Sequence, residues 1–155
     1  MPQDKAEEEK IYNRVLRFAT LRPRSEKEVK LWFQRKRVYP ELAEGVFNRL
    51  KSLSLVDDNA FAKWWVDQRL TFRPKGRRAL FVELRQKGID REVISQALEV
   101  VDDKSVASSL ARRRLLRLAH LPNEVRQKKL SDFLARRGFS WEVIKEVVDL
   151  KDEIE

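Results

Sequence analysis

The stretch PKGRRALFVELRQKGID, residues 74–90, decides the reading of this chain. Leu80 and Leu84 stand one helical turn apart, so they mark the apolar stripe of a short helix. Gly88 follows where a helix ends, because glycine accepts the left-handed backbone that closes one. Asp90 then stands as the cap of a next helix that carries Val93, Ile94 and Ala97.

Outward from this stretch the pattern recurs. Leu21–Ser25 (LRPRS) matches Phe72–Gly76 (FRPKG) at an offset of 51, and the same offset pairs Val29 with Leu80, Phe33 with Leu84, Lys36 with Lys87 and Val38 with Ile89. A shift of 50 pairs Leu84 with Leu134, Lys87 with Arg137, Gly88 with Gly138, Ile89 with Phe139 and Ile94 with Ile144. Three copies of one unit of about 50 residues account for both offsets.

Each copy reads as three helices. In the first, Ile11, Val15 and Phe18 form a stripe, Ser25 with Glu28 fits a capping box, and Pro40 opens the helix bearing Leu42, Val46, Phe47 and Leu50. In the second, Asp57 or Asp58 caps a helix carrying Phe61 and Trp65. In the third, Ala107, Leu110, Ala111 and Leu118 form one stripe and Leu130, Phe133 and Leu134 the next, with Gly138 terminating and Ser140 capping. Strand-like alternation persists nowhere for long. The expected fold is all-α: three tandem three-helix modules, elongated and curved. A flexible segment 1–7 should precede modules 8–55, 56–101 and 102–150, with an acidic tail 151–155. A unit this small is marginal alone, so stacking against a neighbour must hide its remaining apolar face.

The chain has no Cys, which excludes disulfides and a thiol nucleophile. It has one His, no glycine-rich phosphate loop and no nucleophile elbow, so no enzyme, cofactor or metal is expected. Asp57-Asp58 reads as a cap rather than a metal pair, since an apolar stripe follows at once. The N-terminus is charged where a signal peptide would be apolar, and no apolar run approaches a membrane span, so a cytoplasmic protein is expected. The net charge of +9 favours polyanions or a nucleoprotein. Residues 73–139 alone carry 17 basic and 8 acidic side chains, whereas the chain from Ser140 onward holds two basic and six acidic.

Four short motifs, RPRSEKEV (residues 22–29), LVDDNAFAKWWVDQR (55–69), PKGRRALFVELRQKGI (74–89) and LARRGFSWEVI (134–144), occur in an order and spacing that resembles the RecX family over roughly residues 8–150. The resemblance implies three tandem three-helix modules that lie in the helical groove of the RecA–DNA filament and touch neighbouring protomers. It implies modulation of RecA, usually by blocking filament growth, ATP hydrolysis, strand exchange and co-protease activity, and it is compatible with binding single- or double-stranded DNA directly. A monomer is expected. The alternative is a stand-alone DNA-binding helical-repeat protein. One departure stands out: Arg37 replaces the glycine of the other two copies, which puts the geometry of the first turn in question.

The candidate contact residues for RecA or DNA are basic. Lys36, Lys87 and Arg137 occupy the matched position at the end of each middle helix, where a cation either complements the helix dipole or forms a row facing phosphates or acidic protein. Arg35 and Arg136 also match, but Gln86 breaks that row. Arg22 and Arg24 match Arg73 and Lys75 across a proline turn that should expose them, and Arg77 and Arg78 follow. Arg113 and Arg117 share a helix face, and Lys128 and Lys129 add charge to the next helix. Trp64 and Trp65 are expected in the core or between modules, with base stacking as the sharper alternative.

Overall fold

The computed structural model describes the backbone of residues 2–154 and the side chains of residues 4–149. Among the described residues it forms nine helices: α1 (Pro2–Leu21), α2 (Glu26–Arg35), α3 (Pro40–Ser52), α4 (Asp58–Phe72), α5 (Arg77–Gln86), α6 (Arg91–Leu98), α7 (Asp103–Leu118), α8 (Asn123–Arg136) and α9 (Trp141–Ile154). They fall into three triplets, each closed around its own core. Val15, Val29, Phe33, Val46 and Leu50 fill the first. Phe61, Leu80, Leu84, Ile89 and Ile94 fill the second. Ala107, Leu130, Leu134, Phe139 and Ile144 fill the third. The main helix–helix packing is all within a triplet. The accessible surface is 10564 Å², against roughly 8,200 Å² for a compact monomer of this mass. The modules therefore stand in an extended row and not in one ball. Residues 2–7, expected to precede the first module, are continuous with α1.

The ends of the helices follow the residues that cap them. Ser25 and Glu28 complete a capping box at α2. Asp57 caps α4 through the amides of Asn59 and Ala60, and Ser140 accepts from Val143 N–H. Pro40 sits at the start of α3 after an uncapped Tyr39. Asp90 occupies the N-cap position of α6, as the sequence suggests, but its side chain makes no capping hydrogen bond.

Gly88 and Gly138 leave their helices at φ +82° and +89°. Arg37, at the same repeat position, adopts φ 54°, so the first turn keeps the shape of the other two despite its side chain. The reason lies in how modules meet. The exit of α5 abuts the start of α2, and a Cβ on Gly88 would come within 2.8 Å of the Lys27 Cβ. The exit of α8 abuts the start of α5, and a Cβ on Gly138 would lie 2.4 Å from the Ala79 Cβ. Among the described residues no other module packs against the exit of α2, so the exposed Arg37 meets only the left-handed penalty of about 1–2 kcal/mol.

Each module also caps its predecessor. The carboxylate of Asp58, first residue of α4, accepts from the Glu26 N–H at the start of α2 at 2.8 Å. The carboxylate of Asp103, first residue of α7, accepts from the Arg77 N–H at the start of α5 at 3.0 Å. Middle helices thus stack head to tail, with the following first helix filling the orphan amides. Burial outweighs these hydrogen bonds, so the carboxyl groups of both Asp58 and Asp103 sit above the usual carboxylate range.

Candidate polyanion-binding surface and module joints

The basic side chains divide into those the fold consumes and those it leaves free. The proline turn after α1 was expected to present its cations outward, and here the structure corrects the reading. Arg22 folds back to the Glu28 carboxylate at 2.5 Å, donates to the Pro23 carbonyl at 2.8 Å and lies 5.2 Å from the Trp64 ring centre. Arg24 donates to the Phe18 carbonyl at 2.9 Å and stacks 3.9 Å over the Phe18 ring. Burial, reinforced by the Arg22 charge, lowers the Arg24 pKa, though the guanidinium stays cationic. Both are half-buried, Arg22 at the joint with the second module and Arg24 against α1 of its own.

The matched row at the middle-helix ends is likewise a joint element in two of its three members. Lys87 reaches the Glu28 carboxylate of the first module at 3.6 Å and lies 5.3 Å from the Trp65 ring centre. Arg137 donates to the Pro74 carbonyl of the second module at 3.0 Å and stacks 5.0 Å over Phe133. Lys36, against which no other module packs among the described residues, is exposed. Trp64 and Trp65 pack against the second core and receive Arg22, Arg69 and Lys87, which places them at the joint as expected from their size.

Glu28 is the hub of this first joint. Its side chain is 12% exposed and holds Arg22 and Lys87 together. Burial pushes its carboxyl up. The Arg22 and Ser25 hydrogen bonds, with the charges of Arg22 and Lys87, outweigh that and bring it below the usual range. Within the second module, Glu83 plays the same part for Arg69 at 2.8 Å and Lys75 at 3.1 Å. Sequence reading passed over both glutamates as hubs; the closeness in sequence of Glu28 to Arg22 and of Glu83 to Lys75 was a visible signal.

The remaining candidates are exposed with no ion pair among the described residues: Arg35 and Lys36 in the first module, Arg73, Arg77 and Arg78 in the second, and Arg113, Arg117, Lys128, Lys129 and Arg136 in the third. The tertiary structure gathers some of them. Arg113, Arg114, Arg117 and Arg137 line one groove of about 360 Å³ together with Leu116 and Phe133. Arg73 stands beside it, since Arg137 is bonded to the next residue's carbonyl. Burial, then the charges of Arg73 and Arg114, lower the Arg137 pKa. Arg114 was not among the expected contact residues; its ring partner Phe133 turns it into the same groove as Arg113. The arrangement suits binding and steering of an anionic surface and presents no nucleophile or base for turnover.

Comparison with known proteins agrees with this architecture. Residues 57–98 match the family model described as RecX, second three-helix domain, and residues 102–148 match RecX, third three-helix domain. The chain belongs to the RecX family. Among RecX relatives, the regulatory protein RecX of Thermobifida fusca is 37% identical over 146 residues, covering 90% of this chain and 79% of that one. The regulatory protein RecX of Mycolicibacterium smegmatis is 40% identical over 152 residues, covering 93% and 80%. The crystal structure of RecX from Lactobacillus salivarius superposes with a TM-score of 0.82 at 24% identity, covering 98% of this chain and 99% of that one, a likeness of fold. A second crystal structure, of regulatory protein RecX, has a TM-score of 0.81 at 26% identity and covers 95% and 74%. No helix of the described residues is long and apolar enough to cross a membrane.

Proposed function

We propose that this RecX chain regulates the RecA recombinase by lying along the RecA–DNA filament in the cytoplasm and clamping adjacent protomers. Clamping restrains the rearrangements that couple ATP hydrolysis to filament dynamics, so ATPase, strand exchange and co-protease activity fall together. The observation that carries the reading is the extended row of modules, each of which puts unpaired cations into solvent. A repeated surface matches a repeated partner, and its charge speeds encounter with a nucleoprotein. No catalytic step is involved; the chain acts by occupancy.

The test is RecA ATPase on single-stranded DNA with the chain titrated in, beside a variant with Arg73, Arg77 and Arg78 changed to Glu. Lys75, expected in the same patch, is left in place because it is engaged with Glu83. Hydrolysis should fall with the parent chain and recover with the variant, whose circular dichroism should be unchanged. Hydrolysis unaffected by saturating parent chain would discard the proposal.

A further inference from the structure

The two joints between modules are built from matched positions, and they differ in the carboxylates they hold. At the first joint, Arg22 and Lys87 converge on Glu28. At the second, an offset of 51 puts Arg73 where Arg22 stands, and an offset of 50 puts Arg137 where Lys87 stands. Both cations are kept. The carboxylate is not: Ala79 occupies the place of Glu28. The same loss recurs beside it. In the second module Arg69 pairs with Glu83; in the third, Arg114 holds the place of Arg69, and Phe133 that of Glu83. Arg114 therefore stacks on a ring at 4.7 Å instead of pairing with an acid. Two carboxylates have been removed while Arg73, Arg114 and Arg137 keep the places of Arg22, Arg69 and Lys87; of the cations paired at Glu28 and Glu83, Lys75 alone has no basic counterpart, Val125 standing there. The capping box has gone too: Gly76 replaces Ser25, and α5 has no side-chain cap.

We propose that the joint between the second and third modules is a phosphate site, completed by the backbone of a nucleic-acid strand where the first joint is completed by Glu28. Arg73, Arg114 and Arg137 supply the charge at its centre, and Arg113 and Arg117 extend it along the groove. A guanidinium presents a planar fork that fits phosphate oxygens, and several in one groove fit a polyanion better than a single protein carboxylate. Phe72, 76% exposed beside Arg73, offers a face on which a base can stack. Because Arg137 belongs to the third module and Arg73 to the second, a bound phosphate ties the two together and stiffens the joint. Strand binding then sets the pose of the third module. The inference deepens the filament reading by naming what this joint grips, and it rests on that reading only for its biological setting.

The experiment uses the full chain without RecA. Thermal unfolding is followed with inorganic pyrophosphate, and anisotropy with a labelled oligothymidylate over a salt series, for the parent and for Ala79→Glu, Ala79→Gln and Arg73→Ala. Pyrophosphate should raise the parent's Tm, as any ligand of the folded state does. Ala79→Glu should raise the Tm unaided, abolish the pyrophosphate shift and reduce the salt slope of strand binding by about 1 or more. Ala79→Gln, of the same size without charge, should behave as the parent. Arg73→Ala, a residue with no intramolecular partner, should lose the shift and about one unit of slope even if Ala79→Glu fails to fold.

Pyrophosphate and strand both leaving the parent unaffected would overturn the proposal, as would Ala79→Gln acting like Ala79→Glu. A pyrophosphate shift with no strand binding would reduce the joint to a free-anion site and discard the strand. Strand binding that ignores both Ala79→Glu and Arg73→Ala would place the strand elsewhere on the chain and overturn the proposal. RecA ATPase left untouched by a chain that passes these tests would reject the filament reading and leave the joint standing.

Discussion

Replacing Gly138 by alanine tests the head-to-tail stacking directly. The new Cβ would lie 2.4 Å from the Ala79 Cβ and 2.7 Å from the Ala79 N, both held by the first turn of α5. The backbone there has φ +89°, which costs an L side chain about 1–2 kcal/mol. Forcing a methyl into a packed contact adds about 1–3 kcal/mol, because α5 or α8 must shift. Reduced freedom of the unfolded chain returns about 0.4–1 kcal/mol. The net expectation is a loss of roughly 1–5 kcal/mol, centred near 3. Gly88→Ala should cost less, since its nearest contacts, the Lys27 Cβ at 2.8 Å and Cδ at 3.0 Å, are longer and include no backbone atom. Arg37→Gly, at the matched position but exposed, should instead gain up to about 1 kcal/mol. Urea unfolding of the three variants beside the parent reads all three values. If Gly138→Ala cost no more than the left-handed penalty, with Gly88→Ala equal to it, the modules would not be abutted in solution and the joint argument would fall.

Glu28→Gln should destabilise by about 1.5–3 kcal/mol near neutral pH, because a half-buried carboxylate holding two cations is lost. Since the folded Glu28 carboxyl lies below its ordinary value, that contribution is present above the carboxylate range and fades as pH falls through the lowered value. Unfolding curves of parent and variant should therefore converge on acidification; a gap independent of pH would show that packing, not charge, is what Glu28 supplies. Asp58→Ala and Asp103→Ala each remove a cap given to the preceding module, and each should cost about 1 kcal/mol by denaturant titration. Phe61→Ala empties the centre of the second core, where the ring is fully buried, and should lose about 3–5 kcal/mol; a milder loss would mean that α4 and its neighbours collapse into the gap.

Much of this protein is legible without coordinates. The repeat offsets, the capping residues and the apolar stripes are local properties of the chain, and each depends on spacing along one helix. Leu80, Leu84, Gly88 and their matched partners announce three-helix modules because a helix has one period and glycine readily closes it. What spacing does not carry is which cation meets which acid across a joint. Arg22, Arg24, Lys75, Lys87 and Arg137 looked as free as Arg73 and Arg77, since every one sits in a polar loop or at a helix end. The stacking direction decided between them: it brings the exit of one middle helix onto the entrance of another, so Glu28 and Glu83 capture some cations while Ala79 and Phe133 leave others unanswered. The residues that differ were visible in the alignment of the repeats, but only contact in space turns a missing carboxylate into a site, because Coulomb energy depends on the distance between charges and not on their order in the chain.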